Sequence, residues 1–187
     1  MAKGSPVKHE VMMAGTGGQG VILVGQILAQ AAMGVYEQVT FSPLYDFFKR
    51  GGVTECTVIM ANEEITSPIL SMVGTVVVME PPQLKLYEGK VRPGGVLILE
   101  KAGLSEKVER DDIKVVEIPA VETASRLRKT QVANIVVLGA YVGVTGVLPP
   151  DVVKSELSRR FEVKAEMMAI NEKAFDEGIK LALSLAV

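Results

Sequence analysis

A glycine-rich segment is the part of this sequence whose residue types point most directly to a binding site. Residues 15–20 read Gly-Thr-Gly-Gly-Gln-Gly, between an apolar run at 11–14 and a helical pattern that begins at Val21. Glycine allows a tight turn and a close approach of the backbone to a ligand, and a helix N-terminus offers free N–H groups to an anion. The candidate anion-binding residues are therefore Gly15, Gly17, Gly18, Gln19 and Gly20.

The spacing of Gly15, Gly17 and Gly20 matches the G-x-G-x-x-G pattern of dinucleotide-binding proteins. That class also needs an acidic residue near the end of the second strand, but residues 39–42 carry no carboxylate. No Lys-Ser/Thr pair follows the glycines, so the segment is not a triphosphate-binding P-loop. Three interpretations stay open: a nicotinamide or flavin dinucleotide site, which the missing carboxylate disfavours; a sharp strand-to-helix turn; and a loop that meets a partner chain or an anionic cofactor group.

A second candidate segment is the predicted loop over residues 43–52, which combines aromatic and basic side chains. Its notable residues are Tyr45, Phe47, Phe48, Lys49, Arg50, Gly51 and Gly52. Aromatic residues beside an arginine are typical of protein interfaces, and a guanidinium binds phosphate or carboxylate well. We therefore interpret Tyr45, Phe47, Phe48, Arg50, Gly51 and Gly52 as interface residues, with Arg50 also a candidate anion contact.

No set of residues for independent catalysis is visible in the sequence. The one cysteine, Cys56, falls in a predicted strand and is expected to be a buried core residue, and the one histidine, His9, lies near the N-terminus. A single cysteine cannot hold an iron–sulfur cluster or a zinc finger by itself. A domain with a glycine-rich segment and no catalytic set suits a subunit of a larger enzyme.

The elements that must position these residues alternate between strands and helices. Strands are predicted at residues 7–13, 38–42, 53–60, 75–79, 96–99 and 114–118, and helices at 17–33, 120–129, 132–145, 151–160 and 163–185, with a short helix ending at 87. We expect one domain over residues 1–187, a three-layer α/β/α fold with a mainly parallel or mixed sheet and a helical C-terminal part.

Composition excludes several classes of function. The net charge is −2, which does not favour binding to nucleic acid. No run of about 20 apolar residues occurs, and the first ten residues lack the apolar core of a signal peptide. We therefore expect a cytoplasmic protein with no membrane segment.

Several segments together resemble the gamma subunit of 2-oxoacid:ferredoxin oxidoreductases, over about residues 10–180. The matching segments are residues 15–21, Lys49-Arg50-Gly51-Gly52, Cys56-Thr57-Val58, Ile65-Thr66-Ser67-Pro68, and residues 134–140 and 171–178. The family usually carries Ser-Tyr-Gly-Pro-x-x-Arg-Gly-Gly where this chain has Leu44-Tyr45-Asp46-Phe47-Phe48-Lys49-Arg50-Gly51-Gly52. The indolepyruvate branch has a histidine where Tyr45 stands, which disfavours that branch.

The resemblance implies a multisubunit enzyme that oxidatively decarboxylates a 2-oxoacid with coenzyme A, giving acyl-CoA, carbon dioxide and reduced ferredoxin. 2-Oxoglutarate is the first expectation for the substrate, with pyruvate or a branched-chain oxoacid next. Thiamine diphosphate, Mg²⁺ and iron–sulfur clusters would belong to alpha and beta subunits, with or without a delta subunit. This chain would be structural or would place coenzyme A through the glycine-rich segment and Arg50. The alternative is a stand-alone nucleotide- or phosphate-binding α/β protein that uses residues 15–20.

Overall fold

The computed structural model describes residues 7–45, 52–162 and 165–185. The strands are β1 (Lys8–Thr16), β2 (Gln38–Tyr45), β3 (Val53–Ala61), β4 (Val73–Val78), β5 (Val91–Glu100) and β6 (Lys114–Ile118). The helices are α1 (Val21–Ala32), α2 (Leu84–Tyr87), α3 (Ala120–Arg126), α4 (Ala133–Thr145), α5 (Pro150–Phe161) and α6 (Ala165–Leu185). The predicted α/β fold is confirmed.

The six strands form one mixed sheet in the order β2-β3-β1-β4-β5-β6. Strands β1, β4, β5 and β6 are parallel, whereas β3 is antiparallel to both of its neighbours. Because β3 runs against β1, the start of β3 lies beside the end of β1, with Val53 paired to Thr16. That topology brings the start of β3 to the same end of the sheet as residues 15–20.

The two faces of the sheet are covered unequally. One face carries the larger core, formed with α1 and α3–α6; its largest fully buried side chains include Tyr141, Phe175 and Met13. The other face carries a smaller core in which Leu84 and Tyr87 of the short helix α2 pack against β4 and β5. The three layers are therefore present, with a thick helical layer and a thin one.

Helices α4 and α6 pack so closely that only glycine fits at their centre. A Cβ on Gly139 would overlap the carbonyl oxygen of Phe175, and a Cβ on Gly178 would overlap that of Val136. One turn further along, Gly143 faces Ala182 in the same way. We call the contact of Gly139 and Gly143 with Gly178 and Ala182 the helix crossing. Helix α4 also contacts α1, α3 and α5, so residues 134–142 are buried on every side, and the helix is accordingly apolar around its circumference.

Several predicted boundaries are wrong for local reasons. Helix α1 begins at Val21 and not at residue 17, because Gly18 and Gly20 have positive φ angles of 98° and 80° that end regular structure. Strand β2 continues through residues 43–45, which were predicted to be loop. Pro43 is accommodated there because β2 is an edge strand, whose outward side needs no backbone donor. Strand β5 begins at Val91 and not at residue 96, and residues 93–95 lie inside it at an irregularity of its pairing with β4.

The C-terminus of α3 has an unusual residue at its last turn. The N–H of Lys129 donates to the Ala124 carbonyl and the N–H of Arg128 to that of Ser125, which is the Schellman pattern. The residue in the left-handed conformation of that pattern is ordinarily glycine, but here it is Arg128 with φ of 57°. A left-handed conformation costs a non-glycine residue about 1–2 kcal/mol.

Within the described ranges of the chain, no helix combines the length and the apolar character that crossing a membrane requires.

Candidate functional site

A cleft of about 500 Å³ opens at the sheet edge where the parallel strands end. Its lining comes from the glycine-rich segment, from the C-terminal ends of β4 and β5, and from the residues at the start of α4. Most of these residues are apolar or uncharged. The lining residues are Gly18, Gln19, Gly20, Leu23, Met79, Glu100, Val121, Thr130, Gln131, Ala133, Asn134 and Val137. Three of the five predicted anion-binding residues, Gly18, Gln19 and Gly20, therefore line one cavity, at the edge of an α/β sheet where ligands commonly bind.

The glycine-rich segment, which we call the glycine loop (residues 15–20), is held in shape by its own backbone and by Gln19. The N–H of Gln19 donates to the Thr16 carbonyl at 3.1 Å, and the Gln19 Oε1 accepts from the Thr16 N–H at 2.8 Å. A Cβ on Gly15 would overlap Gln19 Oε1, so glycine is needed at that position for the side chain to fold back. The loop is therefore a closed turn with both ends fixed.

Two residues that follow β4 support the glycine loop from its other side. Glu80 Oε2 accepts from Gln19 Nε2 at 2.5 Å, and Gln83 Nε2 donates to the Gly15 carbonyl at 3.1 Å. The dinucleotide pattern calls for a carboxylate after the second strand, but the strand beside β1 in the parallel part of the sheet is β4. Glu80, the carboxylate that follows β4, bonds to Gln19 and is not part of the cleft lining, so it supports the glycine loop and does not replace the ribose-binding acid of that pattern.

Helices α1 and α4 both direct their N-termini toward this cleft. Gly20 is the N-cap of α1 and Asn134 lies in the first turn of α4, and neither helix has a side-chain cap. Unpaired N–H groups and the helix dipole make such ends favourable for an anion. A 3-10 turn over Thr130–Val132 precedes α4, and the Ala133 N–H already donates to the Thr130 carbonyl. The free N–H groups of the cleft are therefore those at the start of α1, and α4 contributes its dipole and the Asn134 side chain.

Asn134 joins the two helix ends. Its side chain is only 6% exposed, it lines the cleft, and a Cβ on Gly20 would overlap its Nδ2. Among the described residues its side-chain amide has no hydrogen-bond partner. Its amide is not one of the fully enclosed unpaired groups, so it stays accessible from the cleft and is free to bind a ligand oxygen there. Residue 134 falls in one of the segments that carry the family resemblance, but no signal in the sequence marked it as a site residue.

Glu100 is the carboxylate of the cleft, and its hydrogen bonds are internal. It is 3% exposed and accepts from the N–H groups of Ala102 at 2.8 Å, Ala120 at 3.0 Å and Val121 at 3.2 Å. Burial raises the pKa of this carboxyl, and the three N–H donors oppose that rise. Because both oxygens are occupied, Glu100 caps the start of α3 and is not placed to act as a general base.

The predicted interface segment lies against the glycine loop where the structure describes it. The Gly17 N–H donates to the Gly52 carbonyl at 3.1 Å, and Tyr45, the last residue of β2, pairs with Thr54. Phe47, Phe48, Arg50 and Gly51 lie outside the described residues. Gly52 and Tyr45 thus place the two ends of this segment beside the glycine loop.

The cysteine and the histidine do not form a catalytic pair. Cys56 is buried in β3, where its Sγ donates to the Val21 carbonyl at 3.6 Å, and burial raises the pKa of its thiol to about 12. His9 lies within β1 and stacks edge-on against Tyr36. In the described part of the chain, no three His, Cys, Asp or Glu side chains are grouped as a metal site would require.

The family model for pyruvate ferredoxin/flavodoxin oxidoreductase matches residues 10–181, almost the whole chain. The chain belongs to this family. The resemblance inferred from the sequence segments is therefore confirmed.

Relatives with curated names agree with the family and differ in length. The 2-oxoglutarate synthase subunit KorC of Methanothermobacter thermautotrophicus is 34% identical over 151 residues, covering 76% of this chain and 79% of the relative. The ketoisovalerate oxidoreductase subunit VorA of Methanothermobacter marburgensis is 30% identical over 170 residues, which cover 90% of this chain. This chain spans only 35% of that VorA and 36% of the VorA of Methanothermobacter thermautotrophicus.

Solved structures share the fold over nearly the full chain. The gamma subunit of a keto/oxoacid ferredoxin oxidoreductase from Geobacter sulfurreducens matches with a TM-score of 0.83 and 27% identity, covering 96% of this chain and 98% of that one. A 2-oxoglutarate:ferredoxin oxidoreductase from Magnetococcus marinus, solved with 2-oxoglutarate, coenzyme A and succinyl-CoA, matches with a TM-score of 0.87 and 23% identity. It covers 95% of this chain and 31% of that one, and at this identity the likeness is one of fold.

Proposed function

We propose that this chain is the gamma subunit of a multisubunit 2-oxoacid:ferredoxin oxidoreductase and that it places coenzyme A without itself carrying out the chemistry. The observation that carries this proposal is the meeting of two helix N-termini and the buried Asn134 amide in one cleft. Family membership supplies the class of enzyme, and the described residues of the chain offer positioning groups without a nucleophile–base pair.

The lining of the cleft suits both parts of a coenzyme A molecule. Phosphate oxygens would accept from the free N–H groups at the start of α1 and from the Asn134 amide. Leu23, Met79 and Val137 offer an apolar wall for adenine or for the pantetheine chain. Arg50 precedes Gly52 by two positions, and the Gly52 carbonyl accepts from the Gly17 N–H of the glycine loop. We propose that Arg50 adds a cation to the same group of contacts.

The remaining cofactors are assigned to other subunits. Thiamine diphosphate with Mg²⁺ would supply the decarboxylation chemistry and iron–sulfur clusters would carry electrons to ferredoxin, and the described residues contain no group of three His, Cys, Asp or Glu side chains that could hold a metal ion. Cys56, the one cysteine, is bound in the core. We propose alpha and beta partners, with or without a delta subunit, in a cytoplasmic complex, with the segment from Tyr45 to Gly52 at the interface.

We propose 2-oxoglutarate as the substrate of the complex. Four relatives named 2-oxoglutarate synthase subunit KorC match this chain, at identities from 27% to 35%. Relatives named for ketoisovalerate and pyruvate match at 30%, so a branched-chain oxoacid and pyruvate are the next candidates. The comparisons give no support to a stand-alone nucleotide-binding protein.

The first experiment is purification of the tagged chain from its own cells, followed by an assay. The preparation is expected to contain larger chains with thiamine diphosphate and iron, and to reduce an artificial electron acceptor only when coenzyme A and one 2-oxoacid are both present. A monomer or homodimer that binds NAD, FAD or ATP at micromolar concentration would contradict the proposal.

The contact with coenzyme A is tested by Asn134→Ala and Arg50→Ala in the assembled complex. Each is expected to raise the KM for coenzyme A several-fold with little change in kcat, because the interactions concern substrate binding. Asn62→Ala is the control, since Asn62 directly follows β3 at the opposite end of that strand from the glycine loop, where its Oδ1 accepts from the Glu37 N–H. A complex that assembles normally and shows the same KM in all variants would contradict a role in placing coenzyme A.

A further inference from the structure

A second concave surface lies on the other side of the loop that walls the cleft. This basic groove has a volume of about 430 Å³ and separates the end of α3 from the first turns of α6. Its lining residues are Leu127, Arg128, Lys129, Glu166, Met167, Ala169, Ile170 and Lys173. The connection between α3 and α4 is shared: residues 127–129 line the groove, and Thr130 and Gln131 line the cleft.

The basic groove carries a concentrated positive charge. Arg128, Lys129 and Lys173 face it, with Glu166 as the carboxylate on its rim. Within the ranges that the structure describes, none of the three cations forms an ion pair. Lys154 and Lys180, by contrast, are each paired with a carboxylate oxygen at 2.6 Å. Three neighbouring cations repel one another, and an anion between them removes that repulsion.

The backbone at Arg128 favours a role for its side chain. Arg128 adopts the left-handed conformation at the end of α3, and among the described residues it is the one non-glycine with a positive φ. Glycine would satisfy the same hydrogen bonds without strain. Strained positions are concentrated at functional sites, and here the side chain so held belongs to the basic groove.

We propose that the basic groove binds the terminal phosphate monoester of the same coenzyme A molecule whose diphosphate lies in the cleft; this inference rests on the proposed function. A phosphate monoester carries nearly two negative charges at pH 7, and guanidinium and ammonium groups are its usual partners. The cleft offers neutral hydrogen-bond donors, which suit the diphosphate. The groove offers cations, which suit the more highly charged monoester. Met167 and Ile170 provide apolar floor for the adenosine beside it.

The experiment compares coenzyme A with dephospho-coenzyme A as substrates of the assembled complex. The wild type is expected to prefer coenzyme A. Arg128→Gly is expected to raise the KM for coenzyme A about tenfold, as the loss of one charge-assisted contact would, while the KM for dephospho-coenzyme A stays the same. Lys173→Gln is expected to act in the same direction, and the double variant is expected to abolish the preference.

The choice of variants keeps the result interpretable. Arg128→Gly introduces the residue that this backbone conformation prefers, so misfolding is not expected, and a melting temperature at or above that of the wild type checks it. Lys180→Gln is the matched control, because Lys180 lies on the same helix outside the groove and pairs with Glu177.

Three outcomes would overturn the inference. Equal increases of the KM for coenzyme A and for dephospho-coenzyme A, or no change in either, would show that the groove does not bind the phosphate monoester. Loss of subunits from the Arg128→Gly complex would show that the groove holds an acidic surface of a partner chain. The cleft variants Asn134→Ala and Arg50→Ala separate this inference from the proposed function. If the groove variants fail the test but the cleft variants raise the KM for both substrates, only this inference fails. If the cleft variants also leave the KM for coenzyme A unchanged, the proposed function fails as well.

Discussion

In the glycine loop, glycines hold backbone angles that other residues avoid, whereas in the helix crossing they make room for a neighbouring backbone. Gly18 and Gly20 have positive φ, and the space around Gly18 is open. Gly139 and Gly178 have ordinary helical angles but face carbonyl groups of the opposite helix. The difference shows what each region can tolerate: a loop can be strained and still form, but two packed backbones must separate if a side chain is placed between them.

The largest effect is expected for Gly139→Ala in the helix crossing. The new methyl group would overlap the Phe175 carbonyl, and α4 and α6 would have to move apart; overpacking of this kind costs about 3 kcal/mol. Urea unfolding followed by circular dichroism measures the loss. Gly89→Ala is the control, since nothing lies within 4 Å of a Cβ at Gly89. Equal stabilities of the two variants would show that the helices do not pack as described.

An intermediate effect is expected for Gly20→Ala in the glycine loop. The substitution meets both a positive φ and the Asn134 amide, and a loss of about 2 kcal/mol follows from the strain and the displaced side chain. Because the obstacle is a side chain, Asn134→Ala in the same protein is expected to restore part of the stability. Additive losses in the double variant would contradict contact between the two residues.

A smaller effect is expected for Gly18→Ala, which tests backbone strain alone. Nothing lies within 4 Å of a Cβ at Gly18, so only the positive φ opposes the substitution, at about 1 kcal/mol. The measurement is the same urea midpoint. A loss as large as that of Gly139→Ala would show that the loop depends on packing, and the contrast between the two regions would then be wrong.

The smallest signal is expected from the Cys56 thiol, which lies beneath α1 just behind the glycine loop. Burial raises its pKa to about 12, so at pH 8 roughly one thiol in 10⁴ is ionised, and reaction with a disulfide reagent should be very slow. Gly18→Ala is expected to leave that rate low, since strain in the loop does not lift α1. Rapid labelling of the folded wild type would contradict the close packing of α1 on β3.

The sequence predicted those parts of the structure that local pattern determines. Alternating apolar runs located the strands, and the glycine loop was identified because few residues other than glycine adopt positive φ. The reversed direction of β3 was not predicted, since periodicity carries no information about strand direction. For the same reason the role of Glu80 was missed: it follows a strand that is distant in sequence and adjacent to β1 only in the sheet.

Asn134 and the basic groove were beyond sequence reasoning for a related reason. The apolar character of α4 predicts a buried helix but does not identify which polar residue in its first turn faces Gly20. Arg128 and Lys173 are 45 positions apart in the numbering of the chain and meet because α6 returns along α4. Their proximity is a property of the tertiary structure alone.

The hydrogen bond from the Gly17 N–H to the Gly52 carbonyl has a thermodynamic consequence for the assembled enzyme. It ties the turn that would touch coenzyme A to the start of β3, directly after the segment that would touch another subunit. A subunit that fixed Gly52 would lower the conformational freedom of Gly17. A nucleotide that fixed Gly17 would likewise lower the conformational freedom of Gly52. Linkage makes this coupling reciprocal: whatever free energy assembly adds to coenzyme A affinity, coenzyme A returns to assembly.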